Sequence, residues 1–137
     1  MDQEIWQRTA TELAALIASG EASSREVVDA HLGRIDEVNG HCNAVVRVLA
    51  DEARAEADAA DAAVTAGDDL GPFHGVPFTV KENLDVAGTP TTQGLPVFAD
   101  LVAPTDAPIV ERMRSARSED GTRLNSSHSA ISSAVFC

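Results

Sequence analysis

The sequence predicts an α/β fold. Three observations carry this: two apolar stripes at helical spacing that each open on a capping box, a β-branched run followed by an alanine-rich helical stretch, and a strict alternation over 76–81. Helix, helix, strand, helix, strand is the opening order of an α/β domain, and one domain is the ceiling for 137 residues.

Taken in order, the first helix spans Thr9 to Ser19. Thr9 and Glu12 have capping-box spacing, Leu13, Leu16 and Ile17 form one apolar face, and Gly20 suits the stop. A second helix runs from Ser23 to Val38, with Ser23 and Glu26 as its capping box and Asn39-Gly40 as its end. His31 lies beside the apolar stripe of Val27, Val28, Leu32 and Ile35; with no second ligand one turn away, it reads as a core-edge histidine. Asn43 to Leu49 is short and β-branched, a buried strand. Asp51 to Ala66 is then an alanine-rich helix, whose acidic residues (Asp51, Glu52, Glu56, Asp58, Asp61) a solvated face explains without a cation site.

Gly67-Asp68-Asp69 breaks that helix and leads into the most informative stretch, Gly71 to Gln93. Val76, Phe78 and Val80 alternate with Pro77, Thr79 and Lys81, the period of a strand with one face on a core. Lys81, the only lysine in the chain, stands at the end of this run. A lysine after a strand is commonly a solvated edge residue. The sharper alternative is an amine in a partly desolvated site, where the neutral form acts as a base. The loop that follows carries Asn83, Thr91 and Thr92, polar groups able to support the lysine by hydrogen bonds, although threonines in a Gly/Pro-rich turn need no function. Asp106 reads as an N-cap and Pro108 as the first turn of a last helix that fades at Ala116.

Composition narrows the function classes. A net charge of -12, distributed over helical faces, argues against nucleic-acid or anionic-membrane binding by this segment. The first ten residues lack the basic and apolar regions of a signal peptide, and no apolar run approaches a membrane span, so a cytoplasmic location is expected. Two cysteines, Cys42 and Cys137, make no disulfide framework and have no metal-ligand spacing with the four histidines; Cys42 reads as a packed small side chain. No metal site is expected.

The run His74-Gly75-Val76-Pro77-Phe78-Thr79-Val80-Lys81-Glu82-Asn83, followed by Asp85-Val86-Ala87-Gly88-Thr89-Pro90-Thr91-Thr92, resembles the lysine-bearing segment of the amidase signature family, and the similarity extends from about Thr9 to Ala116. Glu82 stands where many members carry Asp, and as the next residue of the strand it should point away from Lys81. The resemblance implies the N-terminal part of an α/β/α domain with a mixed sheet, incomplete in this chain: residues 1–116, helical over 1–40, with the sheet beginning in 43–116. It implies that Lys81 is the terminal base of a Ser-Ser-Lys triad that hydrolyses a carboxamide C–N bond in a small-molecule amide, with no cofactor and with homo-oligomers allowed. In that family a serine at a cis peptide bridges the lysine to a nucleophilic serine, both downstream of the lysine. That segment is missing here, so the chain alone is expected to be inactive.

Residues 117–137 change composition abruptly. The run Thr122 to His128 and then Ile131 to Cys137 resembles the conceptual translation of a sequencing adapter, with Ser133 departing from the expected tyrosine, so this tail is expected to be non-native and disordered. Ser127 and His128 are adjacent, which does not suit a nucleophile and its base. Two other readings stand beside the hydrolase: the glutaminase-type component of a tRNA-dependent amidotransferase, and a non-catalytic acidic helical module that binds a partner.

Overall fold

The computed structural model describes residues 4–116 and, as backbone, 133–136. Helices α1 (Ala10–Ser19) and α2 (Ser24–Cys42) start where their capping boxes predict. Glu12 Oε2 accepts the Thr9 N–H at 2.7 Å, and Glu26 Oε2 accepts the Ser23 N–H at 2.8 Å while Ser23 Oγ accepts the Glu26 N–H at 3.0 Å. Gly20 caps α1.

Helix α2 does not stop at Asn39-Gly40. It continues to Cys42, and Asn43 ends it in the left-handed conformation at φ 46°. Asn39 stays helical because its amide has other work: Oδ1 accepts the Val45 N–H at 2.9 Å and Nδ2 donates to the Val45 carbonyl at 2.8 Å. The side chain thus pairs with the first residue of strand β1 (Val45–Val48) as a neighbouring strand would. The longer helix also places Cys42 in an exposed last turn, not in a packed one.

Helix α3 (Ala50–Ala66) lies on α2, with Ala53 and Ala57 against Val28 and Leu32. Small side chains let the helices approach closely. The acidic residues of α3 are not simply a solvated face. Glu56 is buried, and Asp61 turns onto the start of α2, where Oδ1 accepts the Ser24 N–H at 2.6 Å and Oδ2 the Arg25 N–H at 3.1 Å. A helix leaves its first N–H groups without internal partners, and this carboxylate supplies two. Arg25 and Arg54 bridge Asp29 and Asp58 on the outside of the same contact. His31 is half-buried, with Nδ1 2.7 Å from the Val27 carbonyl.

The main helical core joins Leu13, Ile17, Ala22, Val27 and Val76. Ile17 and Val27 are fully enclosed, and such burial stabilises by about 1.5–3 kcal/mol per side chain. At the edge of this core the chain approaches strand β2 (Phe78–Lys81) through Gly75, at φ +71°. Ser24 Oγ, completely buried, donates to the Gly75 carbonyl at 2.7 Å, and His74 Nε2 lies 2.9 Å from the Ala60 carbonyl. The entry to β2 is therefore held by both α2 and α3.

The sheet is mixed, in the order β1, β3, β2. Strand β3 (Ser133–Phe136) pairs antiparallel with β1 and parallel with β2, with Lys81 opposite Phe136. Of the tail read as non-native and disordered only these four residues are described, where an apolar, β-prone run occupies the slot between two strands whose backbone groups need partners. Residues 117–132 and 137 lie outside the described residues. Helix α4 (Pro108–Ser115) begins at Pro108, but its N-cap is Ala107, not Asp106. Asp106 is drawn away by two other partners, the Ala87 N–H at 2.7 Å and Arg114 Nε at 2.7 Å.

Candidate functional site

The alternation read over 76–81 is the one that β2 adopts. Val76 and Val80 are buried and Phe78 half-buried, while Thr79 and Lys81 are exposed on the other face. Val80 packs with Val86 and Val110, which fixes β2 against the start of α4. Lys81 closes the strand at its carboxyl end, and its carbonyl accepts the Leu84 N–H at 2.9 Å in the turn that follows. Among the described residues its ammonium has no hydrogen-bond or ion-pair partner. Of the two settings read for it, a solvated strand edge and a partly desolvated site, the exposed side chain among the described residues has the first.

The same period carries one step further. Glu82 follows Val76, Phe78 and Val80 onto the inner face and is only 5% exposed. A carboxylate there needs donors, and Thr92 provides two: its N–H at 3.1 Å and its hydroxyl, both to Glu82 Oε1. Glu82 Oε2 is buried with no hydrogen-bond partner among the described residues. Thr91, also buried, donates its hydroxyl to Asp85 Oδ1 at 2.6 Å. The threonines expected to support Lys81 are thus turned to carboxylates, Thr92 to one on the opposite face of the strand, and Asn83 is exposed.

Behind these contacts the loop has a regular backbone. Gly88 N–H donates to the Ala103 carbonyl, Ala103 N–H to Thr89, and Thr91 N–H to Leu101, at 2.9, 3.0 and 3.2 Å. Pro90 and Val102 form an antiparallel bridge between them. The loop after Lys81 is therefore a hydrogen-bonded hairpin tied to the start of α4. The strand period turned Glu82 away from Lys81, as found, but nothing in the sequence signalled its pairing with Thr92 or the pairing of Asp85 with Thr91. Among the described residues no group of three or more His, Cys, Asp or Glu is arranged to hold a metal ion, and no helix is long and apolar enough to cross a membrane.

Comparison with known proteins adds three findings. The family model described as Amidase matches residues 26–131, beginning inside α2 and ending beyond Ala116. Two relatives are alike over most of this chain. An indoleacetamide hydrolase of Bradyrhizobium diazoefficiens is 46% identical over 112 residues, 82% of this chain and 21% of that protein. The A subunit of the glutamyl-tRNA(Gln) amidotransferase of Acidothermus cellulolyticus is 42% identical over 113 residues, 82% of this chain and 22% of that protein. The solved structure of native peptide amidase from Stenotrophomonas maltophilia superposes with a TM-score of 0.74 at 26% identity, covering 95% of this chain and 24% of that one. The chain therefore spans less than a quarter of the length of each of these proteins.

Proposed function

The chain belongs to the amidase family, and from that premise we propose that Lys81 is the terminal base of a Ser-cis-Ser-Lys site that hydrolyses a carboxamide C–N bond in a small-molecule amide. The observation that carries this reading is the position of the only lysine, at the carboxyl end of strand β2 and within the residues that the family model matches. In open α/β sheets that end of the strands is where ligands bind.

In the proposed reaction the neutral Lys81 amine accepts a proton from a bridging serine, which takes one from a second serine as that oxygen attacks the amide carbonyl. Backbone N–H groups hold the oxyanion. Collapse of the tetrahedral species breaks the C–N bond, and the amine or ammonia leaves with the returned proton. Water then cleaves the acyl-enzyme to the carboxylate. Neutral Lys81 requires a closed site, so the cover for its exposed face belongs to sequence beyond these residues. The same reading takes 117–137 as non-native and β3 as a filler of the place of another strand, and the active enzyme as a cytoplasmic protein.

On this reading the 137 residues supply the base without the nucleophile or the oxyanion hole. The purified chain is expected not to hydrolyse simple amides. Hydrolysis that disappears in Lys81→Ala would overturn this. The uninterrupted gene beyond codon 116 should continue α4 into a strand and then a Gly/Ser-rich segment with two serines. The 42% identity to an amidotransferase component supports a second reading, in which the ammonia released is passed to a partner protein. Ammonia release from glutamine by the complete protein, set against release from other carboxamides, separates the two.

A further inference from the structure

We propose that Glu82 is a positioning residue for the Lys81 site, latching the loop 89–94 to the end of β2 through Thr92. The proposal rests on the reading of Lys81 as the base, and it concerns a residue that touches no reacting atom.

Three observations support it. Glu82 is 5% exposed, and its inward direction follows from the strand period, so Lys81 and Glu82 stand on opposite faces of one strand end. Its Oε1 accepts both the N–H and the hydroxyl of Thr92, a residue ten positions away, while the Thr92 hydroxyl oxygen accepts the Gly94 N–H at 3.2 Å. The carboxylate therefore fixes both the backbone and the side chain at the turn of the hairpin. Its other oxygen, Oε2, is buried without a donor among the described residues. Burying a carboxylate with one oxygen unmatched opposes folding, so an apolar side chain in the same place would serve packing better. What an apolar side chain does not supply is a fixed acceptor for Thr92. The parallel latch of Thr91 on Asp85 and the backbone ladder to 101–103 carry this constraint on to α4.

The test uses the whole 137-residue chain and measures no turnover, so the latch and the amidase reading can fail separately. Reductive methylation with ¹³C-formaldehyde labels Lys81 as the only lysine, distinct from the N-terminal amine. Amide exchange at Thr92 and Gly94 and the Lys81 methyl signal are followed in Glu82→Gln, Glu82→Leu and Thr92→Val. The amides of Ile17 and Met113, inside α1 and α4, report whether the fold persists. Glu82→Leu is expected to speed exchange at Thr92 at least tenfold and to move the Lys81 signal, with Ile17 and Met113 unchanged. Glu82→Gln, which keeps the acceptor, is expected to restore most of both. If Glu82→Leu unfolds the chain, Thr92→Val decides: it should move the Lys81 signal in a folded chain. Unchanged Thr92 exchange in Glu82→Leu, no recovery in Glu82→Gln, or a Lys81 signal indifferent to Thr92→Val each overturns the proposal.

Discussion

A methyl group placed on Gly75 would lie 2.9 Å from both Cβ and Oγ of Ser24, the residue whose hydroxyl donates to the Gly75 carbonyl. The approach is close because the first turn of α2 and the entry to β2 share one hydrogen bond, and φ +71° at Gly75 makes the bend.

Gly75→Ala is therefore expected to destabilise the chain by about 3 kcal/mol, combining backbone strain with overpacking. Ser24→Ala keeps its Cβ and leaves the buried carbonyl without its donor, for a loss of about 1–2 kcal/mol. Urea denaturation followed by circular dichroism measures both, and equal effects of the two changes would contradict the steric account.

Asp61 caps α2 from outside the helix. Asp61→Ala should lower stability by about 1–2 kcal/mol, because two N–H groups lose an anionic acceptor. Asp61→Asn, which retains one acceptor oxygen, should lose less. The same denaturation assay checks the order, and a reversed order would point to packing instead of capping.

Acid should loosen the helical half first. The Thr9 backbone N–H holds Glu12 below its ordinary value of 4.5, the Ser23 backbone N–H does the same for Glu26, and the hydrogen bond from Arg54 lowers Asp29 from 3.8. A carboxylate whose value is depressed by folding adds stability above its unfolded value, and that stability is lost as pH falls through the folded one. The urea midpoint should thus show no loss from these groups between pH 7 and about pH 5, then fall below about pH 4.5. The double variant Glu12→Gln, Glu26→Gln should flatten that fall.

Lys81 separates stability from function. Because it is exposed and its ammonium has no partner among the described residues, Lys81→Ala should change folding stability by less than about 0.5 kcal/mol. In the complete enzyme the same change should remove amide hydrolysis. A large loss of stability with Lys81→Ala would assign the residue to the fold instead.

The helices and the strand at Lys81 were legible because their signals are local. Thr9 with Glu12 and Ser23 with Glu26 lie three residues apart, and the period of two over 76–81 needs no distant partner. What escaped was tertiary. Asp106 has the type and place of an N-cap, yet Ala87 and Arg114, neither of them its neighbour in sequence, claim its carboxylate. Asn39-Gly40 has the composition of a helix stop, yet the Asn39 amide is held by Val45 and the helix runs on. Asp61 resembles its acidic neighbours on α3 and is set apart only by the end of α2. At the candidate site, the position of Lys81 on an outer strand face was readable, whereas the pairing of Thr92 with Glu82 depended on a hairpin closed by residues 101–103.

Strands β1 and β2 do not pair with each other; residues 133–136 stand between them. On the reading that these four residues fill another strand's place, a chain cut after Ala116 leaves both strands with a bare edge turned to the same gap. Such edges bind further copies of the chain, so the shortened form should be the more adhesive one.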